Sequence, residues 1–145
     1  MIGIDTTFLI AAVHEAHSRH QEANQLVDDW IEAGERLALC SHVAAEFLHV
    51  ITDARRFERP LSMEAAIQQI EDWTASEQVR WFDTRREIIL VALEWMRKHQ
   101  LGRKRILDTF VAATYAAHQI TRLATLNPAD FRVFDIFDFL PAPTP

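Results

Sequence analysis

Glycine is almost missing from this chain: there are three among 145 residues. So sparse a supply leaves no G-x-G-x-x-G, and G-x-x-x-x-G-K is missing too, which excludes the dinucleotide and triphosphate sites built on those loops. Cysteine occurs once, as Cys40. No internal disulfide can form, a reducing compartment suits that count, and core filling is the expected role. The longest apolar run, Phe8 to Val13, is far too short to cross a bilayer, and the amino-terminal residues carry no basic segment of the kind that opens a signal peptide. A soluble, cytoplasmic protein with no membrane partner is expected. Positive charge is in deficit, with 15 Lys+Arg against 21 Asp+Glu and a formal net charge of −6. That balance argues against a binder held to nucleic acid by charge alone, and leaves room for a nucleic-acid enzyme with metals and local basic patches.

What is present fits one domain, since 145 residues of which 49% are hydrophobic can close a single core. The expected division is a domain over 1–138 and a proline-rich tail over 139–145. Ile2-Gly3-Ile4 reads as a buried strand, and Phe8 to Val13 begins a helix. Ser18-Arg19-His20-Gln21 has the form of a capping box opening a helix with Ala23, Leu26, Val27, Trp30 and Ile31 inward, ended by Gly34. Leu37 to Cys40 is a second strand; Ser41 is placed to cap a helix whose apolar face is Val43, Ala44, Phe47, Leu48, Val50 and Ile51. Asp53 to Pro60 reads as an exposed connection, followed by a helix on Ala66, Ile67, Ile70 and Trp73. A third strand is expected over Val79–Phe82. A second capping box at Thr84-Arg85-Arg86-Glu87 then opens a helix burying Ile88, Ile89, Ala92, Trp95 and Met96. An alanine-rich helix over Ile106–His118, a fourth strand over Arg122–Leu126, a fifth at an edge over Val133–Phe137 and a frayed Pro141–Pro145 complete the chain. Short apolar strands alternating with helices predict a three-layer α/β/α domain with a central, mainly parallel sheet of four or five strands.

Four acids fall at matching places in that pattern. Asp5 follows the first strand, at the sheet edge where ligands of open α/β domains bind. Glu46, flanked by Val43 and Val50, lies on the helix after the second strand. Asp108 opens the alanine-rich helix on the side of Val111, Ala112 and Tyr115, and Asp130 follows the fourth strand. Each has a local alternative: Asp5 as a helix cap, Glu46 as a boundary residue, Asp108 as a first-turn acid favoured by the helix dipole, Asp130 as a turn residue. Together they form a set of carboxylates that raise each other's pKa unless a cation intervenes, and such hard oxygen donors suit Mg²⁺ or Mn²⁺. Spacing alone leaves both readings open. Two features are set aside. His14-Glu15-Ala16-His17 is one residue short of H-E-x-x-H, and with His20 reads as an exposed helix start. Trp30, Trp73, Trp95 and Trp81 lie on apolar stripes or in a strand and read as packing residues.

The chain resembles the PIN-domain ribonucleases and, within them, the VapC-type toxins of bacterial toxin–antitoxin pairs. The resemblance runs from Met1 to about Asp138. It rests on Ile4-Asp5-Thr6 with Phe8-Leu9-Ile10, Ala45-Glu46, Leu107-Asp108-Thr109 leading into Val111-Ala112-Ala113-Thr114, and Ala124-Thr125-Leu126-Asn127 through Asp130-Phe131. It implies a Mg²⁺-dependent endoribonuclease, with Mn²⁺ as a substitute, in which Asp5, Glu46 and Asp108 match the three acidic metal-site positions and Asp130 a more variable fourth. Thr6 and Thr125 match hydroxyl positions near that site, suited to holding a water or a carboxylate. Asn127 stands where some relatives carry an acid, so the fourth position is open between Asn127, suited to binding a water, and Asp130, with a structural role for Asp130 as the alternative. Hydrolysis by water would leave a 5′-phosphate and a 3′-hydroxyl. Arg55, Arg56, Arg59, Arg103, Lys104 and Arg105 are candidates for RNA phosphates, with a solvated charged face as the alternative.

The resemblance also implies a small antitoxin that wraps the toxin and reaches the acidic cleft, and a homodimer. Helices carrying Val27 and Trp30, or Ile67 and Ile70, are the expected apolar surfaces for either. Competing readings are a non-catalytic PIN-like module for RNA or protein, a phosphotransfer enzyme with Asp5 as nucleophile, for which Thr7 stands where a second Asp is usual, and DNA cleavage by the same acids.

Overall fold

The computed structural model describes residues 1–141. In chain order the elements are β1 (Ile2–Ile4), α1 (Thr6–Val13), α2 (His20–Glu32), β2 (Leu37–Cys40), α3 (Ser41–Ile51), α4 (Met63–Ala75), β3 (Val79–Phe82), α5 (Arg86–Lys98), α6 (Ile106–Ala117), β4 (Arg122–Ala124) and β5 (Asp138–Leu140). The five strands form one sheet in the order β3-β2-β1-β4-β5, every pair parallel. This is the expected α/β/α architecture. Every residue of β1 and β2 is buried, which a parallel sheet achieves only with helices covering both faces.

The strand order positions the site. From β1 the chain moves outward through β2 to β3, then returns to β1's other side with β4 and ends the sheet with β5. The order reverses between β1 and β4, and the crevice beyond their carboxyl ends is the binding place in such sheets. Gly3 pairs with Leu123 and Ile4 with Ala124, and the Asp5 N–H donates to the Ala124 carbonyl at 2.9 Å. Asp5 and Thr125 therefore leave adjacent strands side by side.

Tyr115 of α6 locks this arrangement. Its fully buried ring lies against Gly3, where an added Cβ would come within 2.8 Å of two ring carbons. Its hydroxyl donates to the Ile4 carbonyl at 2.7 Å and reaches that of Ala38 at 2.9 Å, tying α6 to β1 and β2 together.

Several local expectations are corrected. The fifth strand is Asp138–Leu140, outside Val133–Phe137; Arg132–Phe134 forms a 3-10 turn instead, closed by Asp135 at φ 54°, and the phenylalanine rings pack on one another. Neither capping box forms. Arg19 and Arg85 stand at the N-cap positions without side-chain caps; at the second box the Thr84 hydroxyl is taken up by His42 Nδ1 at 3.1 Å and Thr114 Oγ1 at 2.7 Å. Ser41 is the first residue of α3, not its cap. Ser62 does cap α4, accepting from the Ala65 N–H at 3.1 Å, and Gly34 follows α2 at φ 78°. His14 is buried, its Nε2 2.8 Å from the Arg59 carbonyl and its ring against Phe57, while His20 Nδ1 lies 3.0 Å from the Ala11 carbonyl. Those histidines knit α1 to its surroundings. Trp81 is 38% exposed on edge strand β3 and is not a core residue; Ile89 is 37% exposed on α5. The expected fray over 142–145 lies outside the described residues.

Candidate active site

Asp5 is buried at the β1–α1 junction, and its Oδ2 accepts three donors: Thr7 Oγ1 at 2.6 Å, Thr125 Oγ1 at 2.8 Å and the Thr7 N–H at 3.3 Å. It caps α1, and its charge also acts on Glu46 and Asp108. Burial pushes its pKa up, and the threonine donors oppose that shift. Glu46 comes from α3, where Val43 and Phe47 are buried and hold the helix against the core. Thr6 Oγ1 donates to its Oε2 at 2.7 Å. Its pKa is raised by burial first and then by the Asp5 charge. Asp108, in the first turn of α6, is pushed up to about 6 by burial, then by Asp5, with Glu46 adding to the rise and Arg105 opposing it. Three carboxylates from three elements thus sense one another.

Asp130 lies on the turn after β4, engaged by Arg105 and by Asn127 Nδ2, while Arg105 Nη1 is 3.7 Å from Asp108 Oδ2. Among the described residues no three or more His, Cys, Asp or Glu side chains converge on one point at ligand distance. The donor chemistry still fits a hard divalent ion: oxygen ligands, confined together, whose charged forms are disfavoured by burial and mutual repulsion. Asp5, Glu46 and Asp108 are the residues that would hold it.

The basic candidates divide. Arg55 and Arg56 pair with Asp53, which the Arg55 contact draws down to about 2, and the Arg56 charge also acts on Glu46. Arg59 lines the cleft beside His14. Arg103 and Lys104 are exposed on the turn before α6. Next to Asp5 a cleft of about 290 Å³ is lined by Thr7, Ile10, His17, Phe57, Leu126 and Asn127.

The family model of the PIN domain matches residues 2–136. The chain belongs to the PIN-domain family. Ribonuclease VapC48 of Mycobacterium tuberculosis is 32% identical over 76 residues, 52% of this chain and 52% of that protein. This PIN-domain chain spans about half the length of the curated relatives it matches, which are VapC ribonucleases. Among solved structures, VapC20 of Mycobacterium tuberculosis, described as a sarcin–ricin loop cleaving toxin, superposes with a TM-score of 0.72 at 20% identity, covering 91% of this chain and 94% of that one. VapBC-1 of nontypeable Haemophilus influenzae gives 0.65 at 19% identity, covering 96% of each. At those identities the superpositions establish the shared fold.

Two residues of this PIN domain stand differently in the structure from their place in the sequence reading, Thr7 as a partner of Asp5 and Arg105 as a partner of acids instead of a candidate for RNA phosphate. Thr7 was visible only as a cap neighbour, yet its hydroxyl donates to Asp5 and accepts from the Leu126 N–H at 3.0 Å; a hydroxyl two residues after an acid is the local signal. Arg105 was grouped with its exposed neighbours, while its spacing of three from Asp108 on a helical turn already placed the two together.

Proposed function

We propose that this chain is a metal-dependent endoribonuclease acting as the toxin of a toxin–antitoxin pair, cutting RNA to leave 5′-phosphate and 3′-hydroxyl ends. The reading is supported by the PIN-domain match over residues 2–136 together with the place of Asp5 at the strand-order reversal, where the adjacent Thr6 bonds Glu46. Asp5, Glu46 and Asp108 would hold Mg²⁺, or Mn²⁺ in its place, and such an ion supplies Lewis-acid activation of water and charge neutralisation at the phosphate. Thr7 and Thr125 orient the Asp5 carboxylate, and Thr6 orients Glu46. The cleft beside Thr7 and Asn127 offers room for a nucleotide next to the scissile bond, with Phe57 on its wall. Exposed Arg103 and Lys104 supply positive charge for neighbouring phosphates on an otherwise acidic protein.

A small antitoxin and a second copy of the chain are the proposed partners. Two apolar surfaces suit them: the groove of about 300 Å³ between α2 and α4, lined by Val27, Ile31, Trp73 and Val79, and the outer face of α5, where Leu90 is 50% and Leu93 44% exposed. Among the described residues no helix is long and apolar enough to cross a membrane, and a cytoplasmic location is part of the proposal.

The test is cleavage of total cellular RNA by the purified, partner-free protein with Mg²⁺ or Mn²⁺, set against EDTA and the Asp5→Asn and Asp108→Asn variants, with product ends mapped. Metal-dependent cuts with 5′-phosphate ends, lost in both variants, are expected. Identical behaviour of wild type and variants would overturn the nuclease reading in favour of a non-catalytic RNA- or protein-binding module.

A further inference from the structure

Arg105 differs from the other basic residues near the site in that its guanidinium reaches two of the four candidate acids, Asp108 and Asp130, whereas Arg55 and Arg56 pair with Asp53. It is the last residue of the turn Arg103–Arg105, and its carbonyl accepts from Thr109 Oγ1 at 2.6 Å, which fixes its backbone to the first turn of α6. From there its Nη1 contacts Asp130 Oδ1 and lies 3.7 Å from Asp108 Oδ2. Asn127 Nδ2 holds Oδ2 of Asp130, so both oxygens of that acid are engaged. The Arg105 side chain is 21% exposed and that of Asp108 17%. Arg103 and Lys104 are exposed and form no ion pair among the described residues.

A positive charge anchored within reach of two carboxylates offsets part of the repulsion that Asp5 and Glu46 impose on Asp108. A divalent ion at the same acids would do so too, and would draw on the same oxygens. We propose that Arg105 is the built-in counter-cation of this acidic site and competes with the divalent ion for Asp108 and Asp130, so that metal entry requires the guanidinium to swing off those two carboxylates. This rests on the metal-dependent reading above. Two consequences follow by linkage: Arg105 stabilises the protein in the absence of added metal, and it weakens metal binding relative to what the acids alone would give.

The experiment is calorimetric titration of MnCl₂ into the full chain as wild type, Arg105→Gln, Arg105→Lys and Asp108→Asn, with thermal unfolding of each with and without Mn²⁺. R105Q is expected to bind Mn²⁺ about fivefold more tightly, the return from removing one partly exposed ion pair, and to unfold at a lower temperature when no metal is added. R105K keeps the charge but loses the planar fork, and falls between. D108N loses tight binding. Equal or weaker Mn²⁺ binding by R105Q, with wild type and D108N still distinct, overturns the counter-cation role and leaves the nuclease reading standing. Failure of both wild type and R105Q to bind Mn²⁺ overturns both. If R105Q does not fold, the comparison of R105K with wild type decides by the same outcomes.

Discussion

The Thr125 hydroxyl donates to Asp5 Oδ2 across 2.8 Å and joins two residues 120 positions apart in the chain. Thr7 Oγ1 reaches the same oxygen at 2.6 Å, so the carboxylate is oriented both from its own helix and from a neighbouring strand end.

Loss of that bond should be felt at the site and hardly in the fold. Thr125→Val is expected to lower Mn²⁺ affinity and RNA cleavage by about tenfold, the lower end for removal of a group that orients a metal ligand. The circular dichroism spectrum should stay unchanged. Full activity in T125V would show that Thr7 alone orients Asp5.

Asp108 determines a pH dependence of stability. Burial, with the Asp5 charge beside it, pushes its carboxyl up from the ordinary 3.8 to about 6. A carboxyl raised in this way favours the folded state while protonated: the contribution is complete below the unfolded pKa and is lost as pH rises through the folded one. Without metal, stability against urea should therefore fall between roughly pH 4 and pH 7, by on the order of 1 kcal/mol from this partly solvent-screened group. Asp108→Asn should flatten that fall. An unchanged slope in D108N would assign the pH dependence to other acids.

Gly3 has no room for a side chain. The Tyr115 ring meets the added Cβ at 2.8 Å, and the ring is pinned through its hydroxyl to Ile4 and Ala38. Gly3→Ala should cost about 2 kcal/mol by overpacking, read as a shift in the denaturation midpoint. In Tyr115→Phe about 1 to 2 kcal/mol should be lost with the hydroxyl, and the double variant should remain less stable than Y115F alone.

On the proposed function, the exposed pair Arg103 and Lys104 would attract RNA phosphates at long range. The double variant R103A/K104A should weaken RNA binding at low salt and reduce the slope of log affinity against log salt by about 1 to 2, as expected for the loss of two phosphate contacts to a single strand. A slope equal to wild type would place the RNA elsewhere on the surface.

The sheet was legible in the sequence because its inner strands are buried on both faces and so read as unbroken apolar runs, as Ile2–Ile4 and Leu37–Cys40 do. The last strand was not, because Val133–Phe137 is equally apolar and packs its rings in a turned backbone, whereas β5 begins with the acid Asp138. Local capping signals failed at Thr84, where hydroxyl partners from α3 and α6 outcompeted the backbone. Asp5, Glu46 and Asp108 could be listed from their places after strands and on helices, but their coupling came into view only with the strand order. The position of Arg105 between Asp108 and Asp130 depends on where the turn after β4 lies, which no local pattern encodes.

The middle place of β1 in the sheet has a consequence for synthesis. Its neighbour on one side, β2, leaves the ribosome soon after it, but its neighbour on the other, β4, pairs Gly3 with Leu123 and is made much later. Until that strand docks, Asp5 lacks the Thr125 hydroxyl. A nascent chain therefore carries Asp5 with Thr7 but without Thr125 until a segment 120 residues further on has been made. The long-range pairing thus acts as a timer within the topology.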